Sequence, residues 1–159
     1  METKLIFEGE YLNGKRNGKG KEYYYNGNLR FEGEYLNEIE WNGKIFDFIG
    51  KVYYNIKNGT GKCKKYYDNG KLLFEGEYLN GKRNGKGKEY EDYGKIIYEG
   101  EYLNGKRWKG KGVEYSKNDR VQYEGEYSDG KRNGKGKEYD DYGNIIYEGE
   151  YLNGERKNK

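Results

Sequence analysis

Six times along the chain an aromatic residue is followed by Glu-Gly-Glu-Tyr, which sets two carboxylates two residues apart. On a β-strand such residues share a face at about 6.6 to 7 Å, within the range of the paired carboxylates of an inverting glycosidase. Glu99 and Glu101 are one such pair, but nothing distinguishes them from their five copies, and a catalytic site is singular. Other chemistry is poorly supplied. There is no His, and the only serines are Ser116 and Ser128, so a Ser or Cys nucleophile has no imidazole base. One Cys and no His exclude a Cys/His zinc site. The glycine-rich run Gly14 to Gly20 has the spacing of neither common phosphate loop. Cys63 reads as a small strand residue rather than a redox thiol. The expectation is a chain that is not an enzyme and carries no cofactor and no metal.

Composition narrows the class further. With 31 basic and 28 acidic residues the net charge is +3, too even for the basic footprint of a nucleic-acid binder. Leu, Ile, Val and Phe total 26, a share at which disorder is suspected, yet 28 aromatic residues can bury what the aliphatics cannot. No apolar run is long enough to span a bilayer, and the first ten residues have no signal-peptide character. A single cysteine cannot form an internal disulfide and suits a reducing compartment. The expected location is intracellular, cytoplasmic or peripheral to a membrane. Absence of Ala beside abundant Lys, Asn, Ile and Tyr is the bias that AT-rich codons produce.

Internal repeats dictate the elements. The aromatic-Glu-Gly-Glu-Tyr string begins at Phe7, Phe31, Phe74, Tyr98, Tyr123 and Tyr147, and the long interval after Phe31 hides, at Gly59 to Gly70, a worn copy of the Gly18 to Gly27 strand and turn. The chain therefore reads as one domain, residues 1–159, with a half-unit over 1–17 and six hairpin units, the one around 38–57 degenerate. Glycine density and the lack of a 3.6 period exclude helix, while Asn26-Gly27, Asn69-Gly70 and Asp92-Tyr93-Gly94 mark hairpin turns. Alternation puts Ile96, Tyr98, Gly100 and Tyr102 on one face and Glu99 and Glu101 on the other. Setting Lys86 and Lys88 across from Glu99 and Glu101 gives a ladder of opposite charges and leaves rings lying over bare glycine backbone.

These residues resemble the MORN repeat, an aromatic-x-Gly-x-aromatic strand followed by an Asn-Gly or Asp-Gly turn and then Gly-x-Gly. The pattern is Phe7, Gly9 and Tyr11 with Asn13-Gly14 and Gly18-Lys-Gly20, and it returns at Phe31, Gly33, Tyr35; Phe74, Gly76, Tyr78; Tyr98, Gly100, Tyr102; Tyr123, Gly125, Tyr127; and Tyr147, Gly149, Tyr151. The resemblance implies an all-β fold, an elongated, twisted, single-layer antiparallel sheet of tandem hairpins, and a non-enzymatic role in scaffolding, self-association, membrane association or phosphoinositide binding. The family's Pro-Asp-Gly turn is replaced by Tyr-Asn-Gly or Asp-Tyr-Gly. That style of repeat also resembles bacterial antitoxin or immunity proteins.

Two surfaces stand out as candidate sites. Lys15-Arg16, Lys82-Arg83, Lys106-Arg107 with Trp108, and Lys131-Arg132 follow the Asn-Gly turns and line one long edge, an arrangement able to meet anionic phospholipid. Trp41, Phe46, Phe48 and Ile49 form the least polar stretch and are a candidate protein-binding patch, or else the packing of a degenerate hairpin. First and last strands, from Leu5 and from Ile145, are expected to leave unpaired edges through which copies could pair. A protein-interaction scaffold is the leading reading, a peripheral binder of anionic phospholipids through the basic edge the alternative, and an antitoxin-type protein the third.

Overall fold

The computed structural model describes residues 6–67 and 69–157; Leu5 lies outside them. These residues form fourteen antiparallel strands and no helix: β1 (Phe7–Leu12), β2 (Lys15–Tyr23), β3 (Leu29–Leu36), β4 (Ile39–Phe46), β5 (Val52–Ile56), β6 (Gly61–Tyr66), β7 (Leu72–Leu79), β8 (Lys82–Tyr90), β9 (Ile96–Leu103), β10 (Lys106–Tyr115), β11 (Val121–Ser128), β12 (Lys131–Tyr139), β13 (Ile145–Leu152) and β14 (Glu155–Arg156). Each strand pairs with its chain neighbours, as expected of tandem hairpins. Continuity is interrupted once. Strands β1 to β5 make one sheet and β6 to β14 a second; between β5 and β6 the ladder is reduced to an isolated Lys57–Thr60 bridge, while Tyr53 and Ile56 pack against Lys64 and Cys63.

Two kinds of turn alternate. Asn13-Gly14, Asn80-Gly81, Asn104-Gly105, Asp129-Gly130 and Asn153-Gly154 place both residues at positive φ, the conformation of a two-residue type I′ hairpin that Asn and Gly favour. Asn37-Glu38 and Asn58-Gly59 do the same, and the turns between them are longer and end on a positive-φ residue, Gly27 and Gly94 in two of them and Asp119 in another; the amide of Gly94 donates to the Glu91 carbonyl at 2.8 Å. Short turns therefore line one long edge of the molecule and longer loops the other. Carboxylates on the loop edge act locally: Asp140 Oδ1 accepts from the amides of Tyr142 and Asn144 at 2.9 and 2.8 Å.

The register matches the charge-ladder reading. Lys86 stands opposite Glu101, Gly87 opposite Gly100 and Lys88 opposite Glu99. On the other face the first aromatic residue of each string sinks to the backbone, and Phe31, Phe74, Tyr98 and Tyr123 are fully buried. Each such burial contributes roughly 1.5 to 3 kcal/mol, which is how so polar a chain acquires a core. Glycine is required where those rings lie: a Cβ at Gly87 would stand 2.8 Å from Phe74 Cζ and 3.0 Å from Tyr102 Cε2. Edge-on ring pairs then run from strand to strand, with Phe7–Tyr35, Phe74–Tyr102, Tyr98–Tyr127 and Tyr123–Tyr151 centroids 5.1 to 6.3 Å apart.

Two details depart from the sequence expectation. Strand β13 is not the last, because Tyr151 and Leu152 pair with Arg156 and Glu155 of β14, so the C-terminal end of its outer edge is covered. Cys63 faces Gly76 and thus occupies the place that Gly20 takes opposite Gly33, in a row where glycine otherwise meets glycine. Its burial pushes the thiol up to about 11, which leaves it an unreactive packing residue at neutral pH.

Candidate interaction surfaces

The lysine and the arginine of each basic pair part company. Lys15, Lys82, Lys106 and Lys131 begin their strands exposed, while Arg16, Arg83, Arg107 and Arg132 are half-buried and lie over rings of the aromatic face. Their guanidinium carbons sit 4.4 Å from the Phe7 centroid, 4.3 Å from Phe74, 4.8 Å from Tyr98 and 4.0 Å from Tyr123. Carboxylates complete the arrangement. Arg16 and Arg30 hold Glu22 at 2.8 and 2.7 Å, Arg83 and Arg107 share Glu89, and Arg132 joins Glu114 at 2.6 Å to Glu138 at 3.1 Å. The arginines, expected on the basic edge, instead lie as cationic lids on the aromatic layer, because a planar guanidinium can stack on a ring and fork to two carboxylates at once.

These contacts set the charge states. Burial pushes the Glu22 carboxyl up, but the charge of Arg30, its hydrogen bond and Arg16 outweigh that and hold it below the usual value. Glu114 is held down chiefly by its hydrogen bond from Arg132, and Glu138 by that from Arg156. The sequence carried a signal for this. Within Lys-Arg-Asn-Gly-Lys-Gly-Lys-Glu the second position is Arg in every copy although all other cations are Lys, and the Glu six residues on is its partner.

The short-turn edge is stitched from unit to unit. The amides of Gly81, Gly105 and Gly154 donate to the carbonyls of Gly59, Arg83 and Arg132 at 2.8, 2.8 and 2.9 Å. Asn17, Asn84 and Asn133 each accept, through the side-chain oxygen, the amide of the asparagine in the next turn, at 3.2 to 3.3 Å. Trp108 replaces this asparagine. It is the bulged residue between Arg107 and Lys109, 41% exposed, and its carbonyl accepts the Asp129 amide at 2.6 Å. The turns at Asn13, Asn80, Asn104 and Asp129 therefore present one exposed lysine each, with Trp108 beside the third, whereas those at Asn37, Asn58 and Asn153 are followed by Ile39, Thr60 and Glu155.

The apolar stretch is divided by the fold. Phe48 packs between Tyr24 and Tyr66, at 5.2 and 5.9 Å, and so joins the two sheets. Trp41 is half-buried, and its carbonyl accepts the Gly59 amide at 2.8 Å at the same seam. Phe46 is half-buried as well, and Ile49, 79% exposed, is alone among the four in facing solvent. Sheet joining accounts for Trp41 and Phe48, and the structure does not bring the four together as one exposed patch.

A feature that single residues could not reveal lies on the charged face. A glycine row, including Gly76, Gly87 and Gly100, runs across the strands between two rows of charged side chains and forms the floor of an open trough. One wall carries Glu75, Lys88 and Glu99 and the other Glu77, Lys86 and Glu101, so charge alternates at each strand step. At β10 the glycine row steps by two residues, from Gly110 opposite Gly100 to Gly112 opposite Gly125, so a second trough runs on past Glu124, Lys137 and Glu148 with Val113 interrupting its wall, and a third lies over β1 to β3 with Glu8, Lys21 and Glu32. Ion pairs hold the walls, with Lys21–Glu32, Lys88–Glu99 and Lys137–Glu148 at 3.1, 3.0 and 3.5 Å. Among the described residues no cluster of His, Cys, Asp and Glu is placed to hold a metal ion, and no helix is long and apolar enough to cross a membrane.

No curated protein matches the chain. The family model for the MORN repeat matches residues 7–29, 74–95, 98–120, 123–143 and 147–158, and that for a MORN repeat variant matches 59–80, the stretch in which Cys63 replaces the central glycine. Neither of these covers residues 30–58, where Trp41 and Phe48 join the sheets. MORN repeats occur in proteins that bind proteins or membranes, and the family is generally non-catalytic. With more than half of its length matched in register with its own hairpins, the chain belongs to the MORN-repeat family.

Proposed function

We propose that this chain is a non-enzymatic scaffold that holds a protein segment of mixed charge in the glycine-floored trough, the two sheets acting as one domain over residues 1–159. The observation that carries this reading is the strand-by-strand alternation of Glu and Lys along both walls, spaced about 4.8 Å apart by strand pairing. Such walls repel a segment of uniform charge at every second step and attract one of alternating charge, which is specificity without strong net attraction. Withdrawal of Arg16, Arg83, Arg107 and Arg132 from the turn edge favours this reading over anionic lipid, since a surface of isolated lysines loses most of its attraction at physiological salt. Lack of catalysis fits the same repetition: each carboxylate pair has near copies, and no Ser or Cys nucleophile has an imidazole base.

Selection from a displayed library of random peptides on the immobilised chain, alongside co-sedimentation with vesicles with and without phosphoinositide over a salt series, tests it. Enrichment of mixed-charge segments with no vesicle binding is the expected result. Sedimentation with anionic vesicles, lost when Lys15, Lys82, Lys106 and Lys131 are changed to Glu, would replace the scaffold by the lipid reading.

A further inference from the structure

The outer side of β1 is unpaired over its whole length among the described residues and, unlike the edges of β5 and β6, which lie against each other, it faces no other strand; the rest of the chain shows what fits it. Every interior Glu-Gly-Glu strand lies between two lysine strands. Glu32 faces Lys21 on one side and Lys44 on the other, Glu75 faces Lys64 and Lys88, and Glu99 faces Lys88 and Lys111. Glu8 of β1 faces Lys21 alone.

The aromatic face is incomplete at the same edge. Tyr35, Tyr102 and Tyr151 are each 3% exposed, whereas their counterpart Tyr11 is 60% exposed. What covers Tyr35 comes from the strand before it. Its hydroxyl donates to Glu22 at 3.0 Å, and its ring lies so close over Gly20 that a Cβ there would stand 3.2 Å from Cε2. Tyr151 donates likewise to Glu138 of the preceding strand at 2.8 Å. Where the chain puts Cys63 in place of that glycine, the following tyrosine, Tyr78, is less buried.

We propose that the edge of β1 takes up, by antiparallel strand addition, an extended segment of the form Gly-Lys-Gly-Lys-Glu from a protein partner. In the register of β2 on β3, its two lysines stand opposite Glu10 and Glu8, its central glycine opposite Gly9 beneath the Tyr11 ring, and its glutamate opposite Phe7, where it receives the Tyr11 hydroxyl. Main-chain hydrogen bonds give such a complex its affinity and the alternate side chains its choice of partner. A second copy of this chain does not fit. Pairing β1 with β1 brings Glu8 and Glu10 against their own copies, and the other open edge, the outer side of β13, carries Glu148 and Glu150. The chain's own Gly-Lys-Gly strands, β2, β8, β10 and β12, already have neighbours on both sides.

The probe is a fluorescein-labelled peptide GKGKEYYYNG, the sequence of Gly18 to Gly27, titrated into the intact chain by fluorescence anisotropy, with sedimentation velocity on the chain alone. Expected are a monomer and saturable binding that weakens by about tenfold or more in three cases: valine at the peptide's second glycine, Tyr11→Ala in the chain, and Glu8→Lys in the chain. Both chain residues are exposed, so circular dichroism of the variants should match the parent. Absence of saturable binding would overturn the proposal, as would binding that the three changes leave unaltered. A dimer that Tyr11→Ala converts to monomer would also overturn it, by placing a second copy on this edge.

Discussion

The Arg132 guanidinium stands 4.0 Å from the centre of the Tyr123 ring and bridges carboxylates of two strands, Glu114 of β10 and Glu138 of β12. One side chain thereby closes a buried ring, pairs two acids and ties three strands. Arg132→Leu leaves both carboxylates without this partner in a half-buried setting. The expected cost is about 2 kcal/mol, below the ~3 to 5 kcal/mol of a fully buried pair because Arg132 keeps some solvent contact. Arg132→Lys should cost about 1 kcal/mol, since charge is kept but fork and stack are lost. Urea denaturation midpoints of the three proteins measure both.

Acid should destabilise the fold through the same acids. Glu22, Glu114 and Glu138 are held below the ordinary 4.5 in the folded chain. Between 4.5 and those lower values the unfolded chain binds more protons, so their contribution is complete above pH 4.5 and is lost as pH falls through the folded values. A urea midpoint that drops steeply below pH 4.5, and less steeply in Glu22→Gln, is the expected result.

The alkaline side depends on tyrosine. Burial pushes Tyr123 up to about 12, against the partial opposition of Arg132, and burial beside Asp47 pushes Tyr66 to about 12. For an acid whose folded value is raised, the folded chain keeps the proton longer. Its contribution is complete below pH 10, the ordinary value, and disappears as pH rises through 12. Tyrosinate absorbance followed with pH should show a fraction titrating late and together with unfolding.

Gly87 tests the ring-on-backbone core. Gly87→Ala forces its methyl toward Phe74 and Tyr102, and overpacking of this kind costs roughly 1 to 3 kcal/mol. Lys86→Ala, one residue away on the exposed face, should stay within about 0.5 kcal/mol.

Repetition made the fold legible: the period of the Glu-Gly-Glu strings and the Asn-Gly turns defined the strands, and alternation set the lysines of one strand across from the glutamates of the next, while the individual pairs, such as Lys88 with Glu99, follow from the register. The position of Arg83 was misjudged for a physical reason. Charge runs are usually solvated, and composition does not distinguish an arginine lying over Phe74 from the lysine beside it in water. Trp41 and Phe48 were legible as unusual but not as sheet-joining residues, because the Lys57–Thr60 break that they span arises from the absence of strand pairing rather than from any motif. The charge ladder was legible, but the trough it encloses was not, because the alignment of glycines as a continuous floor depends on the register of successive strands.

Exchange of wall charges without change of net charge tests the trough most directly. Lys88→Glu with Glu99→Lys, combined with Lys137→Glu and Glu148→Lys, keeps the Lys88–Glu99 and Lys137–Glu148 pairs and reverses the pattern that a bound segment would meet. The measurement is the affinity of a library-selected peptide for the native chain and for this fourfold variant, with circular dichroism to confirm the fold. A loss of about tenfold or more is expected, because alternation rather than total charge attracts the segment. Equal affinity for both chains would contradict binding in the trough.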